Sequence, residues 1–121
     1  MYDWSHHNPR ENQDNLGTMV CFHRRYLLGD KHNLSAQEAI KRSESPDYLS
    51  LPLYLYDHSG LSMSTTEFSC PWDSGQVGFI LVHKKKIREE FCVGRVTAKL
   101  RKQVYRILEA EVKEYDTYLQ S

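Results

Sequence analysis

The chain has 121 residues, of which 40% are apolar and 26% charged, and its 16 Lys and Arg balance its 16 Asp and Glu. That length holds one domain with a real core and excludes two. Zero net charge argues against non-specific DNA or RNA binding, which normally needs a basic surplus, but leaves room for a local basic patch.

Residues 1–15 are polar and lack both period 2 and period 3.6, so they read as an irregular arm. Asn8-Pro9 starts a turn, and Trp4 is costly to leave wet, which predicts some docking. Thr18 to His23 reads as the first strand, with Met19, Cys21 and His23 on one side and Val20 and Phe22 on the other. Both sides are apolar, which predicts an interior strand. Ser35-Ala36-Gln37-Glu38 is a capping box, so a short helix to about Ser43 follows, and Pro46 stops it.

Leu51 to Tyr56 is the second strand, with Leu51, Leu53 and Leu55 opposite Tyr54 and Tyr56. Pro52 lacks an N–H and places this end at an edge. Asp57-His58-Ser59-Gly60 is a hairpin loop, and Leu61 to Thr66 returns in clean alternation. After a loop from Phe68 to Gln76, Val77 to Val82 is the most apolar strand and reads as central, with Gly78 marking a bulge or a close approach. His83 to Phe91 turns helical. From Arg95 to Leu119 the apolar residues keep a 3.6 period, a helix about 37 Å long that should cross one face of the sheet. The fold class predicted is α+β: one domain, with an antiparallel sheet of about four strands packed against a long C-terminal helix, 95–119.

No apolar run approaches the roughly 18–20 residues of a membrane span. The polar opening Met1 to His7 predicts no signal peptide. Cys21, Cys70 and Cys92 are an odd, widely spaced set, so reduced thiols and a cytoplasmic location are expected.

Five sites compete. A nucleophile at Cys70 would need His58 as base and Asp57 or Asp73 as orienter. In a simple meander the loops carrying them sit at opposite ends of the third strand, about 20 Å apart, which counts against the triad. Zinc would draw on Cys21, His23, His58, Cys70 and His83, which lack finger-like paired spacing. Asp14, Asp30, Asp57 and Asp73 are turn residues before they are Ca²⁺ or Mg²⁺ ligands. No metal and no cofactor is therefore expected, and Gly75-Gln76-Val77-Gly78 lacks the features of a phosphate loop. An anionic ligand would use Arg10, His23 and one of Arg24 and Arg25, since strand alternation sends those two apart. His83-Lys84-Lys85-Lys86 with Arg88 reads as a solvated helix start. Tyr54, Tyr56 and the Ser62, Ser64, Thr66 row could form a flat protein-binding face.

The segments Asn8-Pro9-Arg10-Glu11, Asp14 to Tyr26, Leu53 to Gly60 and Phe68 to Gly78 resemble a group of small uncharacterised proteins of bacteriophages and prophages. The likeness runs through most of the chain. It implies a viral accessory protein in the host cytoplasm, of the class that includes inhibitors of host defence such as anti-CRISPR proteins. The leading expectation is a non-catalytic inhibitor that binds a host protein, such as a CRISPR effector, through Arg10, His23, Arg24, Tyr54, Tyr56, Asp57, His58, Trp72 and Asp73. The alternative is a small enzyme or a nucleotide- or phosphate-binding protein built on the same loops, with His58, Cys70 and Asp73 as its catalytic candidates.

Overall fold

A computed structural model describes residues 7–12 and 14–121. Trp4 lies outside them. After a short 3-10 turn, Pro9–Glu11, the chain forms β1 (Thr18–Cys21), α1 (Ala36–Glu44), β2 (Tyr48–Asp57), β3 (Leu61–Ser64), β4 (Ser74–His83), α2 (Lys84–Glu90) and α3 (Ala98–Gln120). The four strands make one antiparallel sheet in the order β1-β4-β2-β3, so the fold is α+β.

The apolar stripe of α3 does what its period predicts. Val104, Leu108, Val112 and Tyr115 are buried against Met19, Leu49, Leu53, Met63 and Ile80 of the sheet. Each such side chain contributes about 1.5–3 kcal/mol when fully buried. The helix begins at Ala98, three residues later than its period alone implies, because Thr97 caps it by accepting the Leu100 N–H at 3.2 Å. On the opposite face α1 covers only a corner, where Ala39 meets Val20 and Leu81. Its capping box is formed on both arms: Ser35 Oγ accepts from Glu38 N–H and Glu38 Oε1 from Ser35 N–H, each at 3.1 Å.

β4 is central, as its composition predicts, and Gly78 is its point of closest approach. A Cβ there would stand 1.9 Å from the Val20 carbonyl oxygen, so β1 and β4 meet only over a glycine. The register slips beside it: Leu53 faces Gly78 but Tyr54 faces Gln76, which leaves Val77 as the extra residue of a bulge.

Two strand expectations are corrected. β1 is an edge strand. Its residues are apolar on both faces because Met19 lies in the α3-side core and Val20 under α1, not because a strand flanks it on each side. Its free edge is closed by the following loop, where Asp30 N–H donates to the Met19 carbonyl at 3.0 Å and Gly29 bridges Val20. The sheet is also no simple meander. β4 pairs with β2 through nine residue pairs and enters between β2 and β1, while β3 stops at Ser64. The other edge is managed too: Asp116 of α3 accepts from Met63 N–H and Ser62 Oγ, both at 2.8 Å. Pro52 sits where β2 has β4 as its only strand neighbour, the edge position its missing N–H requires.

Candidate functional site

The strand order decides where the loops go. Asp57 ends β2, Ser74 opens β4, and Asp57 N–H donates to the Asp73 carbonyl at 2.8 Å. The hairpin loop 57–60 and the loop 65–73 therefore share one end of the sheet, and the 20 Å separation expected of a meander does not occur. His58 Nδ1 lies 3.1 Å from Asp73 Oδ2, and Cys70 Sγ lies 3.9 Å from the same oxygen. Tyr56 stacks on Phe68 with ring centres 5.4 Å apart and tilts against His58 at 6.0 Å.

Those contacts bring His58, Cys70 and Asp73 together, but in an order that does not make a nucleophile. Thiol activation runs thiol, imidazole, carboxylate. Here the carboxylate stands in the middle, so the thiol has no imidazole to take its proton. The His58 and Asp73 side chains are 62% and 38% exposed, far from the water-excluded setting in which such relays gain strength.

An open groove of about 430 Å³ runs past this end, lined by His23, Arg24, Arg25, Asp57, Trp72 and Asp73. Trp72 is 89% exposed. Arg25 reaches Asp57 at 3.4 Å. Both Arg24 and Arg25 border the groove, although alternation predicts that only one can. β1 ends at Cys21, so the period-2 rule has lapsed before residue 24. Tyr54 and Tyr56 alternate with the groove residues Leu55 and Asp57 and so lie on the other face of β2. Tyr54 pairs with Ser64 on one side and Gln76 on the other, and Tyr54, Tyr56 and Pro52 are half-buried outside both core clusters. Tyr54, Tyr56 and Ser64 are thus left open at this end of the face, while Ser62 is held by Asp116 of α3 and α1 takes the other end. A further open hollow of about 770 Å³ lies along the 21–32 segment, sharing His23 and Arg24 and adding Tyr26 and His32.

No family model, no curated protein and no solved structure matches this chain.

One expected binding residue is corrected. Arg10 is not at this surface; its side chain is 2% exposed and holds the arm to the body. Its Nε and one terminal nitrogen grip both oxygens of Asp30 at 3.1 and 2.7 Å. It also donates to Glu111 Oε1 at 3.0 Å and to the Gly17 carbonyl at 2.7 Å. The carboxylates are held in turn by backbone: Asp30 by Met19 N–H at 2.8 Å, and Glu111 by Leu16 and Gly17 N–H at 2.7 and 3.2 Å. Burial alone would lower the guanidinium pKa, but the hydrogen bonds and charges of Asp30 and Glu111 outweigh it, and the value is raised. Beside this clasp, burial pushes the Cys21 thiol up to about 12, with Asp30 adding to the effect. Burial also raises Tyr115, whose hydroxyl accepts the Gly29 N–H at 3.0 Å.

Sequence reasoning weighed Arg25 only as the alternative to Arg24, and it passed over Phe68, which had a signal in being an aromatic at the mouth of a polar loop. It also passed over the partners of Arg10, which have none, since Asp30 and Glu111 lie 20 and 101 residues away. Among the described residues no group of three or more His, Cys, Asp or Glu is placed to hold a metal ion. Two of the proposed zinc ligands have a ring nitrogen engaged locally: His23 Nδ1 accepts from Arg25 N–H and His83 Nδ1 from Lys85 N–H. Among those residues, too, no helix is long and apolar enough to cross a membrane.

Proposed function

We propose that this chain is a non-catalytic binding protein that docks another protein on the aromatic end of its sheet. The observation that carries the proposal is Trp72, a tryptophan left 89% in water on a loop, with Arg24 and Arg25 lining the same groove. Trp, Tyr and Arg are the residues that concentrate binding energy at interfaces. The mixed rim of Arg24, Arg25, Asp57 and Asp73 supplies the polar border such a centre needs. The resemblance to phage and prophage proteins supports a partner in a host bacterium's cytoplasm, with the chain acting as an inhibitor of a host defence protein in the anti-CRISPR manner.

The test is capture from a bacterial host lysate by the tagged chain and by its Trp72→Ala variant, with mass spectrometry of what is held. One host protein retained in stoichiometric amount by the first and lost by the second is the expected result. Equal capture by both, or none by either, refutes the reading.

A second reading draws on the approach of His58 and Cys70 to Asp73 beside an arginine-lined groove. It makes the site a small enzyme or a receptor for a phosphate-bearing ligand. Calorimetric titration with inorganic phosphate and with a nucleotide separates the two, since a protein-docking surface takes up neither.

A further inference from the structure

Zero net charge conceals a division. Between Lys84 and Arg106 the chain carries nine Lys and Arg against two Glu, so this segment holds +7 and the rest of the molecule −7. The segment is α2, the connection 91–97 and the first half of α3. The three parts are consecutive in the chain and pack on one core cluster through Ile87, Phe91, Val96, Leu100 and Val104, and Arg95 and Lys99 border one open hollow. Seven of the nine cations are exposed and the other two half-buried.

The cations are unmatched among the described residues, where none of the nine forms an ion pair. Lys86 donates only to the Asn15 carbonyl, and Arg101 lies over the Tyr105 ring. Of the acids in the second half of α3, Glu111 is committed to Arg10 and Asp116 to the β3 edge, and Glu109 and Glu114 form no ion pair among the described residues. On α3 itself Lys99, Lys102 and Arg106 follow one another at spacings of three and four, which sets them in a single row, opposite the buried Val104 and Leu108. Like charges at those spacings repel, and Lys99, in the first turn, also opposes the helix dipole. Both effects cost stability that an external anion lying along the row would recover.

The row also lacks what other partners need. Its neighbourhood has one exposed large hydrophobic residue, Val93 at 41%, so it offers neither the aromatic centre of a protein interface nor the apolar face of a membrane-lying helix. The apolar side of α3 is committed to the core.

We propose that α2 and the first half of α3 form a binding surface for the phosphodiester backbone of a nucleic acid, with Lys99, Lys102 and Arg106 as its central row. This surface is separate from the aromatic groove and stands or falls without it.

The test is fluorescence anisotropy with a labelled DNA duplex and a labelled single strand, titrated across about 50 to 200 mM salt. Three proteins are compared: the wild type, the variant Lys99→Gln/Lys102→Gln/Arg106→Gln, and a charge-matched variant Lys41→Gln/Arg42→Gln/Lys113→Gln. Circular dichroism melting confirms that each is folded. The wild type should bind at least one of the two nucleic acids at low salt, and the tighter one names the source of the phosphates. The row variant should lose about tenfold or more in affinity and flatten the salt slope by about three, one unit for each phosphate contact removed. The charge-matched variant should behave as wild type. Absence of binding at low salt, an equal loss in the charge-matched variant, or equally tight binding of a poly-glutamate peptide each overturns the proposal, the last by assigning the surface to an acidic protein.

Discussion

Among the described residues are two Arg–Asp pairs that look alike in sequence and differ in everything else. Arg10 meets Asp30 at 2.7 Å with side chains 2% and 19% exposed, and Glu111 and the Gly17 carbonyl complete its shell. Arg25 meets Asp57 at 3.4 Å with its guanidinium side chain 73% exposed and no second acid. The first pair ties the arm, the β1 edge and α3 together. The second decorates a groove. Environment, and not residue type, makes one an architectural clasp and leaves the other free to engage something else. Pairs in water contribute roughly 0–1 kcal/mol, whereas breaking a buried pair strands a charge where nothing can solvate it.

The sharpest way to break the comparison is Arg10→Ala. It leaves Asp30 and Glu111 facing each other without their cation, and should cost about 3–5 kcal/mol in chemical denaturation. Adding Asp30→Asn and Glu111→Gln to it should recover part of that loss, because the stranded charges go with the substitution.

A smaller effect at the same end follows from pH. The Cys21 thiol is raised in the folded chain to about 12 from an ordinary 9.0, and Tyr115 is raised as well. A group that is neutral when protonated and harder to ionise once folded stabilises the fold below its unfolded pKa. That stability is lost as pH climbs from 9 towards about 12, since the unfolded chain releases its proton first. Melting temperatures measured across that window should fall, and less steeply in a Cys21→Ala variant. A thiol reagent at neutral pH should label exposed Cys92 well before Cys21.

Asp116→Ala removes the acceptor that holds Met63 N–H and Ser62 on the β3 edge, and should cost about 1.5–3 kcal/mol by denaturation. At the open end the stability effects should nearly vanish. Arg25→Ala should cost at most about 1 kcal/mol and Trp72→Ala within about 0.5 kcal/mol. The same Trp72 change should cost a captured partner about 2 kcal/mol or more of binding. A large loss of stability at Trp72, or none at Arg10, would reverse the roles of the two ends.

How far the sequence alone reaches follows the range of each interaction. The capping box at Ser35 and Glu38, the stripe of α3 and the glycine at position 78 are written within a few residues, and each is realised. Strand order is not written that way. Alternation says which side chains share a face but not which strand lies beside which, so β4 entering between β1 and β2 had no local mark. The consequence was the placement of His58 and Cys70 at opposite ends, when Asp73 stands beside both. Arg10 is the extreme case. Nothing near it in the chain distinguishes a guanidinium bound for the interior from one bound for a ligand.

That same guanidinium bears on how the protein comes to be made. Glu111 is added to the growing chain 101 residues after Arg10. Until then the nascent chain carries a cation whose final socket is half built, and β1 cannot be locked in place. Such distant closures slow folding, so α3, which follows all four strands, times the completion of this fold.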